Sequence, residues 1–391
     1  MTDTKHPARE MPDETGPLWE LTRAGQSVWL DYIRRGMLEN GELEQMLTQY
    51  ALRGVTSNPT IFEQAISGSD DYDAALQSAV YESVDAAAAF EALAVADIQR
   101  AADLFRGVYE RTDGGDGFVS LEVSPELAHD TEATLAEARR LWQLVDRPNL
   151  MVKVPGTDAG LPAIEQLLSE GVNVNVTLLF SIAAHERVME AYLRALETRR
   201  AGAQPLARVA SVASFFVSRV DTLVDQQLQE KRRQASGEAE RARIDALFGR
   251  AAIANAKLAY RRFTEVFSGE RWERLHAAGA RVQRPLWAST STKNPAYRDV
   301  VYVEELIGPH TVNTMPLPTV QAFAEHGRVQ RTLDQDYARA ERELAALAEL
   351  GIRLDAVTAQ LLEEGVEKFA QSYRELLSCV QEKLVRVASG A

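Results

Sequence analysis

The sequence predicts a (β/α)8 barrel, and three observations carry that prediction. Over 391 residues, eight short β-rich apolar runs alternate with long Ala/Leu/Glu/Arg-rich stretches of helical spacing. Several runs are apolar on both faces, as strands of a helix-covered parallel sheet must be. The competing architecture, an open doubly wound sheet, calls for a Gly-rich turn after a strand, and neither G-x-G-x-x-G nor G-x-x-x-x-G-K-[ST] occurs.

The runs fall in order. The first is Val28–Ile33, and the second, Gly54–Ser57, stops at Asn58-Pro59. Phe118–Val123 is third, and Leu150–Val154 is fourth, closed by Pro155-Gly156. Val172–Phe180 and Arg208–Ala213 follow, then Pro285–Ser289 ahead of Asn294-Pro295, and Thr311–Thr314 ahead of Met315-Pro316. Turn residues after the runs read as strand ends.

Between the runs, Asp85–Tyr109 predicts a helix with Asp85 as N-cap, Thr131–Leu144 one capped by Asp130, and Ser181–Arg199 one capped by Ser181. Glu230–Phe248 and Ala251–Phe267 predict two more, broken at Gly249. The connections Asn58–Ser120 and Ser214–Ser289 are each long enough for two helices. After residue 316, helices are expected around Arg331–Leu350 and Leu354–Val387, with Gly351 as a stop. No Gly/Ser- or Pro-rich linker sets them apart, so residues 1–391 are expected as one barrel domain with 317–391 as helices packed on it. Residues 1–16 are polar and expected as a flexible N-terminal segment.

Composition narrows the function. Lys and Arg number 43 against 57 Asp and Glu, a net charge of −14. That balance argues against nucleic acid and anionic membrane surfaces as partners. A single cysteine, Cys379, excludes an internal disulfide and any multi-thiolate metal site. The six histidines show no ligand spacing, so no metal is expected. No apolar run reaches the roughly 18 residues of a membrane span, and the first 16 residues carry no apolar signal core, so the expected location is cytoplasmic. There is no G-x-S-x-G elbow to support a hydrolase triad. Only seven of the 43 basic residues are lysines. A lysine in an apolar setting therefore raises the question of why arginine would not serve.

Barrel chemistry lies at the carboxyl ends of strands. Polar residues there are Asp31, Thr56, Asn58, Glu122, Lys153, Asn175, Thr177, Ser214, Ser289 and Asn313. Lys153 is the sharpest, set between Val152 and Val154. An amine held away from water favours its neutral form, which is a nucleophile toward carbonyls. The plainer alternative is a lysine whose stem lies on apolar surface while its head reaches solvent or a carboxylate. Glu122 and Asp31 suit acid/base work on hydroxyls and a proton-relaying water, or else ion pairs with Lys153 or a neighbouring arginine. Arg219 and Lys293 follow runs six and seven. With Ser289 they could hold an anionic head group, although spacing alone favours a solvated arginine and a loop lysine.

Five motifs resemble the transaldolase family in order and spacing. They are Arg53-Gly-Val-Thr-Ser-Asn-Pro-Thr60, Leu150-Met-Val-Lys-Val-Pro-Gly-Thr157, Asn173-Val-Asn-Val-Thr-Leu-Leu-Phe-Ser181, Ser211-Val-Ala-Ser-Phe-Phe-Val-Ser-Arg219 and Trp287-Ala-Ser-Thr-Ser-Thr-Lys-Asn-Pro295. The long form resembles the transaldolase part of fusions with a glucose-phosphate isomerase. The resemblance implies a metal-free, cofactor-free class I enzyme. It would pass a dihydroxyacetone unit from sedoheptulose 7-phosphate or fructose 6-phosphate to erythrose 4-phosphate or glyceraldehyde 3-phosphate, in the non-oxidative pentose phosphate pathway. It implies Lys153 as the Schiff-base nucleophile, Glu122 and Thr177 as holders of a relay water, and Asp31 as the acid/base at the cleaved bond. Thr56, Asn58, Asn175 and Ser214 would bind donor hydroxyls, and Ser289 and Arg219 the phosphate. Many shorter relatives carry a second cation just after the serine of the seventh strand. Here the loop reads Ser289-Thr-Ser-Thr-Lys-Asn294, so Lys293 is expected to supply it. Two other readings compete: a Schiff-base aldolase that releases the three-carbon unit, and a non-catalytic barrel that only binds.

Overall fold

The computed structural model describes residues 14–81 and 83–389. Of the expected N-terminal segment, residues 1–13 lie outside the described residues. Helix α1 (Pro17–Arg23) precedes strand β1 (Gln26–Asp31). Helices α2 (Arg35–Glu39) and α3 (Glu42–Gln49) lead to β2 (Leu52–Thr56), and α4 (Pro59–Ser67), α5 (Asp73–Tyr81) and α6 (Ala86–Arg111) to β3 (Phe118–Glu122). Then come α7 (Thr131–Val145), β4 (Leu150–Pro155), α8 (Gly160–Glu170), β5 (Val174–Leu179), α9 (Ile182–Ala201) and β6 (Ser211–Phe216). The next connection holds α10 (Ser218–Gln234), α11 (Glu238–Asp245), α12 (Ala251–Val266) and α13 (Glu270–His276) before β7 (Arg284–Ala288). After α14 (Val301–Glu304) and β8 (Thr311–Met315) the chain ends in α15 (Leu317–His326), α16 (Tyr337–Glu349) and α17 (Leu354–Ala388).

The strands close in order from β1 to β8, all parallel, with β8 returning to β1. Each of the eight expected runs overlaps one of the strands. The three proposed caps form: Asp85, Asp130 and Ser181 accept from the amides of Ala88, Ala133 and Ala184. Gly249 and Gly351 break their helices with φ of +66° and +77°.

Two expectations need correction. The sixth strand is Ser211–Phe216, not Arg208–Ala213. Its polar residue Ser214 sits mid-strand facing the barrel lumen's cleft, so the apolar run stops short of the true strand end. The Glu230–Phe248 helix is really the end of α10 and then α11. Ser236 breaks it, its amide and hydroxyl both bonded to the Glu240 carboxylate. Each long connection also holds more helices than the two expected.

Trp29, Trp287, Phe118 and Phe215 are among the largest fully buried side chains. Leu361, Phe369, Leu376 and Val380 of α17 join the same apolar core, so the terminal helix lies against the barrel of its own chain. Among the described residues, no helix is long and apolar enough to cross a membrane.

Candidate active site

Parallel register sets the first contacts. It places Glu122 opposite Lys153, Lys153 opposite Asn175, and Asp31 opposite Thr56. Lys153 is 5% exposed. Its ammonium donates to the Ser57 carbonyl at 2.9 Å and meets Glu122 Oε2 at 3.3 Å. Phe369 of α17 covers it, the ring centroid 5.9 Å from Nζ. Burial pushes the Glu122 carboxyl above its ordinary range, the Lys153 ammonium pulls it back, and Asp31 pushes it up again. The ion pair foreseen as the plainer role of these residues is therefore present and buried.

Asp31 faces the cleft from the end of β1. Thr56 Oγ1 donates to Asp31 Oδ1 at 2.6 Å and lies 2.6 Å from Thr314 Oγ1. One hydroxyl has one proton, so Thr314 donates to Thr56. Burial raises the Asp31 carboxyl, opposed by the Thr56 bond and by Lys153, Arg219 and Lys293.

The cleft encloses about 620 Å³ at the carboxyl end of the barrel. Asp31, Thr56, Asn58, Lys153, Thr177, Ser214, Arg219, Ser289 and Lys293 all line it. Asn175 is fully buried beneath it, donating to Ser120 Oγ at 3.1 Å and accepting from Ser214 Oγ at 2.6 Å. Glu122 does not line this cleft and instead borders a second cavity of about 500 Å³. Asn58 lines both spaces while its side chain caps α4 through the Ile61 amide at 3.0 Å. The Thr177 hydroxyl, fully buried, has no hydrogen-bond partner among the described residues. Such a group is costly unless a ligand or water completes it.

The opposite wall is cationic. The Arg219 guanidinium lies 5.2 Å from the Phe216 ring and 6.0 Å from Phe369. Lys293 donates to Ser291 Oγ at 2.8 Å. Burial lowers the Lys293 ammonium, and the charges of Arg219 and Lys368 lower it further. Both cations line the cleft: Arg219 is half-buried, not the solvated arginine that spacing favoured, whereas Lys293 is the loop lysine it favoured and is exposed at the mouth of the cleft. Ser289, the residue after β7, is left-handed, φ +55°, with its hydroxyl 2.9 Å from Ser218 Oγ. Strain of this kind persists where surrounding structure imposes it, often at functional sites.

Asn313 does not reach the cleft. It accepts from Thr290 at 2.8 Å and is fully buried, while its neighbour Thr314 lines the cleft. Successive strand residues face opposite ways, and a run ending Asn-Thr does not say which turns inward. Lys368 and Phe369 line the cleft without having been singled out. Their signal was faint: a lysine, rare in this chain, beside an aromatic on an amphipathic helix. Among the described residues, no group of three or more His, Cys, Asp or Glu is placed to hold a metal.

Fold and cleft together define a (β/α)8-barrel enzyme whose polar cluster centres on a lysine. A family model described as Transaldolase/Fructose-6-phosphate aldolase matches residues 28–380. A Transaldolase of Acidothermus cellulolyticus is 50% identical, covering 95% of this chain and 98% of its own length. Another, of Trichodesmium erythraeum, is 44% identical over 95% of this chain and 99% of its own. The chain belongs to the transaldolase/fructose-6-phosphate aldolase family, and with that membership goes the activity of a transaldolase.

Proposed function

We propose that the reaction runs through a Schiff base on Lys153 and moves a dihydroxyacetone unit between phosphorylated sugars. The observation that carries this reading is the buried Lys153–Glu122 pair, with the lysine in a cleft that Arg219 and Lys293 also line. The ketose phosphate, sedoheptulose 7-phosphate or fructose 6-phosphate, places its phosphate between Arg219, Lys293 and the Ser289 hydroxyl. Its carbonyl carbon then lies toward Lys153. Glu122 takes a proton from the lysine ammonium, and the neutral amine adds to the carbonyl. The carbinolamine hydroxyl leaves as water, with Glu122 returning the proton and the Thr177 hydroxyl holding the relay. Arginine cannot give up its proton in this way, which answers why lysine stands at this position.

The iminium withdraws electrons from the adjacent carbon–carbon bond. Asp31 removes the proton of the hydroxyl beyond that bond, the bond breaks, and an aldose phosphate departs. The enamine left on Lys153 attacks the acceptor, erythrose 4-phosphate or glyceraldehyde 3-phosphate, and the steps reverse. Ser214, steadied by Asn175, together with Thr56 and Asn58, contacts the donor hydroxyls. Such chemistry belongs to the non-oxidative pentose phosphate pathway and to the cytoplasm, where phosphorylated sugars are held. The barrel and its terminal helices act as one unit, because Phe369 covers the reacting lysine.

A Schiff-base aldolase would instead release the three-carbon unit by protonating the enamine. Steady-state turnover of fructose 6-phosphate with and without erythrose 4-phosphate separates the two. Transfer predicts turnover that depends on the acceptor; equal release of dihydroxyacetone in its absence would establish the aldolase.

A further inference from the structure

Three cations reach the cleft from three separate elements: Arg219 at the start of α10, Lys293 on the loop after β7, and Lys368 on α17. Among the described residues, none of the three has a carboxylate within salt-bridge distance, although Asp31 and Glu364 act on Arg219 from farther away. Cations elsewhere on the same rim are paired, as Arg34 is with Glu42 and Asp71. Like charges gathered without a carboxylate in contact repel one another, and the Lys293 ammonium feels both neighbours, with Asp31 offsetting them from a distance. A dianion placed among them removes that repulsion and gains three contacts.

We propose that Lys368 is a substrate-phosphate ligand delivered by the terminal helix. This rests on the reading of Arg219 and Lys293 as the phosphate site. With Arg219 and Lys293 as the first two cations, Lys368 adds a third from a separate element. The docking of α17 fixes where Lys368 lies. A Cβ on Gly365 would stand 3.0 Å from Leu178 Cδ2, so the helix crosses the end of β5 closely. Thr60 donates to Ser372 at 2.9 Å, and Lys383 holds the Ser69 carbonyl at 2.6 Å and Asp73 at 2.9 Å. One residue on from Lys368, Phe369 spans Lys153 and Arg219. The same helix turn thus serves the reacting amine and the phosphate.

The test compares Lys368→Gln, Lys368→Arg, Arg219→Gln and Lys231→Gln, the last removing an equal charge far along α10. Each is assayed for KM and kcat with fructose 6-phosphate, for inhibition by inorganic phosphate, and for turnover of unphosphorylated fructose. Lys368→Gln should raise KM and the phosphate inhibition constant about fivefold to tenfold, with kcat and fructose turnover within twofold of the parent. Lys368→Arg should restore both constants, and Lys231→Gln should change neither. Unchanged phosphate inhibition in Lys368→Gln, beside a weakened Arg219→Gln, would overturn the proposal. So would an equal loss with fructose, which would mark Lys368 as a packing residue. If Arg219→Gln also leaves phosphate inhibition unchanged, the phosphate-site reading itself falls.

Discussion

His185 gives a test of the electrostatics that hold the barrel around its site. It lies in the first turn of α9, fully buried, with its ring 5.9 Å from Phe215 of β6, next to Ser214. Neither ring nitrogen has a hydrogen-bond partner among the described residues. Burial alone pushes the imidazole from 6.5 down to about 4. The folded value lies below the unfolded one, so the unfolded chain binds the extra proton. Stability is full above pH 6.5 and is lost as pH falls toward 4. The difference is worth about 3 kcal/mol once both states have titrated, and about 2.5 kcal/mol at pH 4.5. His185→Leu keeps similar volume, removes the titration, and removes two unsatisfied polar atoms. Urea unfolding of parent and variant at pH 7.5 and pH 4.5 measures the effect. The variant should equal or exceed the parent at pH 7.5 and gain about 2.5 kcal/mol on it at pH 4.5. A stability gap that is the same at both pH values would refute the idea that the fold keeps His185 neutral.

Other perturbations bear on the site and its supports. Glu122→Gln should lower kcat with fructose 6-phosphate and erythrose 4-phosphate by about 10²- to 10⁴-fold, the usual contribution of a positioned acid/base, with KM changed only a few-fold; stopped or coupled assays give both. Asp221 accepts from the Ala252 amide at 2.7 Å and from Tyr302 at 2.8 Å, and burial pushes its carboxyl up to about 7. A folded value above the unfolded one means that stability falls as pH rises to about 7, so Asp221→Asn should gain on the parent by about 2–3 kcal/mol from pH 5 to pH 8 in unfolding experiments. Gly365→Leu should lift α17 from Leu178 and raise KM for the ketose phosphate, with β-strand content by circular dichroism unchanged.

Much of the fold was legible because strand ends carried their own punctuation. Asn58-Pro59, Pro155-Gly156 and Met315-Pro316 stop their runs where the backbone must turn, and Asp85, Asp130 and Ser181 announce helices by chemistry that acts within three residues. The sixth strand was displaced for an opposite reason: Ser214 is polar because it serves the cleft, which hides its membership of a strand. In the site, Lys153, Glu122 and Asp31 stood out as charges among apolar neighbours, and register brought two of them together. Thr314, Lys368 and Phe369 did not stand out. Thr314 depends on which of two polar neighbours faces inward, and the α17 residues depend on where a helix some two hundred residues from Lys153 in sequence docks, which no local pattern encodes.

The proposed reaction requires a covalent bond between Lys153 and the substrate. Borohydride reduction of the protein with fructose 6-phosphate, followed by peptide mass mapping, detects that bond. A reduced three-carbon adduct is expected on the peptide carrying Lys153, and none when Lys153→Arg is treated alike. An adduct confined to Lys293 or Lys368, or none under conditions that trap a known Schiff-base enzyme, would contradict the proposed reaction.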